Sequence, residues 1–100
     1  MFTSKQRAYL RSMATNIDTI LMVGKGGMSP EIIKQAEEAL TARELIKGKV
    51  LETSPIPAKE VAAEIASATQ AEVVQVIGTK FILYRRNDKE PKIQLPRNRA

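Results

Sequence analysis

A chain of 100 residues, 43% hydrophobic and 27% charged, has room for one packed domain and none for separate substrate and cofactor domains. It contains no cysteine and no histidine, which excludes disulfides, thiolate nucleophiles, Cys/His zinc sites and imidazole acid–base chemistry. The formal net charge of +5 sits at the two ends: residues 1–28 carry +3, residues 29–84 carry −2 and residues 85–100 carry +4. A fold that joins the ends makes one basic face, which suits a polyanion partner or serves solubility alone.

In chain order, residues 3–16 read as a first helix, with Thr3 and Gln6 spaced as a capping box. Gln6, Leu10, Met13, Ala14 and Ile17 share one face at helical spacing, with Arg7 and Arg11 one turn apart beside it. Thr19 to Val23 is a short apolar strand. After the glycines 24–27, Ser29 is a good N-cap and Pro30 suits the first helical position, so a second helix is predicted from Pro30 to about Ala42. Glu44 to Glu52 reads as a strand, with Ile46 and Val50 on one face and Leu45, Lys47, Lys49 and Leu51 on the other. "TSPIP" is a loop. A third helix runs from Ala58 to about Gln70. "EVVQVI" and "FILYRR" form a closing hairpin around "GTK", where Gly78 suits a tight turn.

The predicted order is α-β-α-β-α-β-β. Two strand–helix–strand units imply parallel strands with right-handed crossovers, and the hairpin adds an antiparallel strand. The expected fold is α/β (α+β): helices packed on a four-stranded mixed sheet. Residues 1–86 form the domain, and residues 87–100, polar and with Pro91 and Pro96, read as a mobile basic tail. No run approaches the ~20 apolar residues of a membrane span. The opening "MFTSKQRAYLRS" lacks the apolar stretch of a signal peptide, so a cytoplasmic location is expected.

Gly24, Lys25, Gly26 and Gly27 satisfy G-x-x-G between a strand and a helix. Glycine admits close approach by a foreign backbone, and the N–H groups that open a helix attract anions. Lys25 adds a charge at the tip. KH domains clamp nucleic-acid backbone with such a loop, yet glycine-rich turns after strands also serve simply to turn. Nucleotide enzymes fit poorly. A P-loop needs Lys followed by Ser or Thr, whereas Gly26 follows Lys25 and Thr19 stands where the first glycine belongs. A dinucleotide fingerprint needs a third Gly or Ala where Ser29 stands.

Four segments, "KQRAYLRSMA", "VGKGGMS", "RELIKGKVLE" and "AEVVQVIGTKFILYR", together resemble the CRM domain (chloroplast RNA splicing and ribosome maturation) in its stand-alone bacterial YhbY-type form. The resemblance covers roughly Thr3 to Arg86. It implies an RNA-binding fold similar to the C-terminal domain of translation initiation factor three: a two-layer sandwich with a four-stranded mixed sheet. It also implies association with precursors of the large ribosomal subunit. The family's loop maps onto Gly24–Gly27, with Gly26 where many members have a polar residue and Met28 where leucine is frequent.

The candidate RNA-binding residues are Gly24, Lys25, Gly26 and Gly27, then Arg7, Arg11, Arg43, Lys47, Tyr84, Arg85 and Arg86. Arg7 and Arg11 contact phosphate or solvate the first helix. Arg43 contacts RNA or partners the carbonyls of a helix C-terminus. Lys47 and Lys49 contact RNA or merely occupy an exposed sheet face. Tyr84 stacks on a base or packs with its hydroxyl near water. Arg97 and Arg99 add sequence-independent attraction. The expected function is non-enzymatic RNA binding in maturation of the large ribosomal subunit. No cofactor, metal, membrane or small-molecule substrate is expected. The alternative is a protein–protein adaptor that docks through the basic face on a ribosomal protein or assembly factor.

Overall fold

The computed structural model describes residues 3–87, Lys89 and Ile93. The elements are α1 (Ser4–Ala14), β1 (Thr19–Val23), α2 (Pro30–Arg43), β2 (Leu45–Val50), α3 (Ala58–Thr69), β3 (Glu72–Ile77) and β4 (Lys80–Tyr84). The order matches the sequence expectation, and β1 and β3 have the predicted bounds. Local signals account for the helix starts. The Thr3 hydroxyl accepts from the Gln6 N–H at 3.1 Å while the Thr3 N–H donates to Gln6 Oε1 at 3.1 Å, closing the capping box. Ser29 Oγ accepts from the Ile32 N–H at 3.3 Å, and Pro30 opens α2.

The sheet order is β1-β2-β4-β3. β1 and β2 are parallel, as the crossover through α2 requires, and β4 lies antiparallel between β2 and β3. The last strand is therefore central. Gly78 turns the β3–β4 hairpin with a φ of 57°, a conformation that suits glycine.

The side-chain alternation of the strands makes two cores. On one face Leu21, Val23, Ile46, Val50, Phe81 and Leu83 pack against α2 and α3, through Ala36, Leu40, Val61, Ala62 and Ile65. This is the expected helix layer on a sheet. On the other face Leu45, Val74, Ile82 and Tyr84 pack under Leu10 and Ala14 of α1. α1 thus adds a partial layer to the opposite side, because Leu45, Ile82 and Tyr84 make that side apolar at one end. Small residues let the layers close. Gly48 lies opposite Phe81 in the ladder, and the ring occupies the space where a Cβ would stand.

Glu44 ends α2 with a φ of 62° and is fully buried. Its carboxylate accepts from the Asn87 N–H and the Ile93 N–H, each at 2.6 Å. Asn87 Nδ2 also donates to the Thr41 carbonyl at 3.0 Å, and Ile93 packs on the α1 core. Asn87 and Ile93 are thus tied to the domain. The reason is a buried carboxylate whose acceptors need donors. The remaining tail positions, Arg97 and Arg99 among them, lie outside the described residues.

Candidate nucleic-acid interface

The glycine segment is a single β-turn. The Gly27 N–H donates to the Gly24 carbonyl at 2.9 Å, leaving Lys25 and Gly26 at the corners, both exposed. Gly27 has a φ of 64°, and a Cβ there would meet Pro55 at 3.1 Å. A Cβ on Gly24 would meet Leu51 at 3.2 Å. The 51–55 loop therefore braces both ends of the turn, while a Cβ on Gly26 would meet nothing within 4 Å. The two outer glycines serve the fold, and the tip faces outward.

The start of α2 is a weaker anion site than its sequence implies. Pro30 has no N–H, the Ile32 N–H is taken by Ser29 Oγ, and the Ile33 N–H by the Ser29 carbonyl at 3.2 Å. Glu31 adds negative charge in the first turn. The capping that makes Ser29-Pro30 a clear helix signal takes up two of the donors that an anion would need and removes a third, so the candidate site is the turn.

The strand ladder places the other candidates. Val23, Val50, Ile77 and Lys80 mark the end of the sheet that carries the turn. Toward that end, on the α1 side, Arg11, Lys47 and Lys80 line a groove of about 160 Å³ with Gln75, Ile77 and Ile82. Arg11 and Lys47 thus join the half of the molecule that holds Lys25. Lys80 belongs with them, although "GTK" reads as a turn rather than as the start of a strand.

Arg43, Tyr84, Arg85 and Arg86 fall at the opposite end, where α2 and β4 terminate. Tyr84 is only 4% exposed and packs under α1, which corrects the stacking expectation: no face is open to a base. Arg85 is committed internally. It pairs with Glu37 Oε2 at 2.6 Å and donates to the Thr69 carbonyl at 3.0 Å and to Thr41 Oγ1 at 2.8 Å. It thereby ties the C-terminal ends of α2 and α3, where a cation is favoured. Arg7 is also committed, donating to the carbonyls of Val73 at 2.9 Å and Val74 at 2.7 Å. These carbonyls lie at an irregularity in edge strand β3, and the guanidinium satisfies both. Arg7 and Arg85 are structural ties rather than open phosphate contacts. Arg43 is exposed and shares a surface depression with Asp18. Arg86 is exposed at the same far end. Among the described residues, then, Lys25 of the first basic segment and Arg86 of the last stand at opposite ends of the sheet.

Among the described residues no group of three or more acidic, histidine or cysteine side chains is placed to hold a metal ion. No helix there is long and apolar enough to cross a membrane.

This arrangement has relatives. "Probable RNA-binding protein YqeI" from Bacillus subtilis is 41% identical over 96 residues, spanning 96% of this chain and all of the relative. "RNA-binding protein" from Haemophilus influenzae is 35% identical over 95 residues, covering 95% of each. The solution structure of the hypothetical protein SAV1595 from Staphylococcus aureus superposes with a TM-score of 0.78 at 46% identity, covering 96% of this chain and 100% of that one. The family model described as "CRS1 / YhbY (CRM) domain" matches residues 2–85, and so takes in the braced turn, the groove and every strand of the sheet. By fold and by sequence, the chain belongs to the CRS1/YhbY (CRM) domain family.

Proposed function

We propose that the chain is a non-enzymatic RNA-binding protein that acts in maturation of the large ribosomal subunit, holding RNA backbone at the tip of the Gly24–Gly27 turn. The observation that carries this reading is the turn itself: its outer glycines lie close against the 51–55 loop, and Lys25 and Gly26 stand exposed. A turn with a bare glycine corner lets a sugar-phosphate strand approach the main chain closely. Lys25 supplies charge beside it. The names of the relatives support RNA as the partner class. The lack of histidine and cysteine supports the non-enzymatic part. The ribosomal assignment rests on the family resemblance.

The test is RNA affinity across a salt series. Lys25→Ala should flatten log K against log salt by ~0.7, the contribution of one single-strand phosphate contact. Gly26→Ala should keep the wild-type melting temperature, since its Cβ meets open space, yet weaken RNA binding by crowding the corner. If both variants bind as wild type does, the turn only reverses the chain. For the ribosomal part, the tagged chain should sediment with large-subunit precursors in a gradient. Recovery only at the top removes that assignment.

A further inference from the structure

α1 covers one end of its sheet face and leaves the other end open. Across the open end, the ladder sets Met22, Lys49, Lys80 and Ile77 in one row over all four strands. Met22 is 58% exposed and Ile77 is 62% exposed. In the next row Lys47 pairs with Ile82, and Ile82 with Gln75. The face is thus cationic in the middle with exposed apolar side chains at its sides.

Two features of these rows lack a folding rationale. Lysines commonly protect sheet edges from adding strands, but Lys47, Lys49 and Lys80 stand on β2 and β4, the two central strands. In addition, Lys49 and Lys80 are directly opposed across the ladder. Like charges so placed destabilise a sheet. A bound polyanion removes that repulsion. Among the described residues no acidic side chain lines the groove beneath α1, which is lined by Arg11, Lys47 and Lys80 together with Gln75, Ile77 and Ile82.

We infer that this open half-sheet is a second RNA contact surface, which takes unpaired nucleotides that run on from the glycine turn. The lysine row and Arg11 hold phosphates, and the exposed apolar side chains give the bases a surface. Gln75, whose side-chain amide carries both a donor and an acceptor, lines the groove and reads a base edge. Apolar contact with an extruded base face needs single-stranded RNA, because the bases of a duplex are stacked on each other. The inference rests on the proposed RNA-binding function and extends its footprint beyond the turn.

The experiment compares wild type, Lys25→Ala and the double variant Lys47→Gln/Lys80→Gln by fluorescence anisotropy. The probes are a short single-stranded RNA, the matching duplex and a poly-glutamate peptide, with circular dichroism confirming the fold. The double variant should weaken single-strand binding by about tenfold and lower the salt slope by about 1.4, two contacts at ~0.7 each. The wild-type preference for the single strand should shrink in Gln75→Ala and Ile77→Gln. Wild-type affinity in the double variant, with Lys25→Ala still impaired, would overturn the half-sheet and leave the turn standing. Equal wild-type affinity for the duplex would overturn the base contacts. Binding of poly-glutamate in place of RNA would assign the surface to an acidic protein, and the proposed RNA function would fall with it.

Discussion

Gly48→Ala is expected to destabilise the protein by about 3 kcal/mol, at the upper end of the usual range for overpacking a core. An ideal Cβ at this position lies 2.2 Å from Phe81 Cζ and under 3 Å from both neighbouring ring carbons. The ring has nowhere to retreat. Phe81 is completely buried between the sheet and the α2–α3 layer, and its backbone is fixed opposite Gly48 by the ladder. The entropy saved by replacing a strand glycine, about 0.5–1 kcal/mol, offsets only part of this. For a domain of this size the thermal midpoint should fall by roughly 15 °C. The same substitution made in a Phe81→Leu background should cost clearly less, because the clash is with the ring. A Gly48→Ala protein with an unchanged urea midpoint would show that the ring does not cross the glycine.

Glu44→Ala should be of similar size, about 3 kcal/mol, for a different reason. The carboxylate sits at zero exposure and accepts two backbone N–H groups at 2.6 Å, from Asn87 and Ile93. Hydrogen bonds to a charged acceptor are short and strong, and removing the acceptor leaves both donors unpaired. The Asn87 and Ile93 amides then have to move to reach water, which pulls the Ile93 side chain from the α1 core. Amide hydrogen exchange is the sharper measurement. The amides of Asn87 and Ile93 should lose protection in Glu44→Ala while those of β2 and β4 exchange only as fast as the lower global stability requires. Unchanged protection at both amides would mean that the segment is held by something other than Glu44.

The elements were legible because their signals are local. Thr3 with Gln6, and Ser29 with Pro30, announce helix starts within four residues, and the structure uses both as read. The turn at Gly24–Gly27 and the apolar strands were equally plain. What sequence could not supply was the identity of long-range partners. Arg85 looked like a basic contact because its three partners, Glu37, Thr41 and Thr69, are 48, 44 and 16 residues away. Tyr84 looked accessible because the strand pattern does not say which half of a face a distant helix covers. Glu44 read as the first residue of a strand, yet it ends a helix in a left-handed conformation and anchors the chain beyond Arg86. The ladder alone sets Lys49 opposite Lys80, which no spacing along the chain could show. Arg7 and Arg85, near the two ends of the chain, were given to the ligand where the fold uses them as ties.

The last strand lies in the middle of the sheet, and this sets the order in which a growing chain can fold. While ribosomes add roughly 5–20 residues per second, everything up to α3 emerges before β4 exists. Through that interval β2 has no second neighbour, and the groove over Gly48 waits for Phe81. Neither core can close until the chain has been made through Tyr84, because Phe81 and Leu83 complete one and Ile82 and Tyr84 the other. A nascent chain stalled before this point carries an unpaired strand edge and an open apolar face, the surfaces that chaperones and neighbouring chains engage first. Completion is therefore abrupt, since one five-residue strand joins both halves of the sheet and seals both of its faces at once.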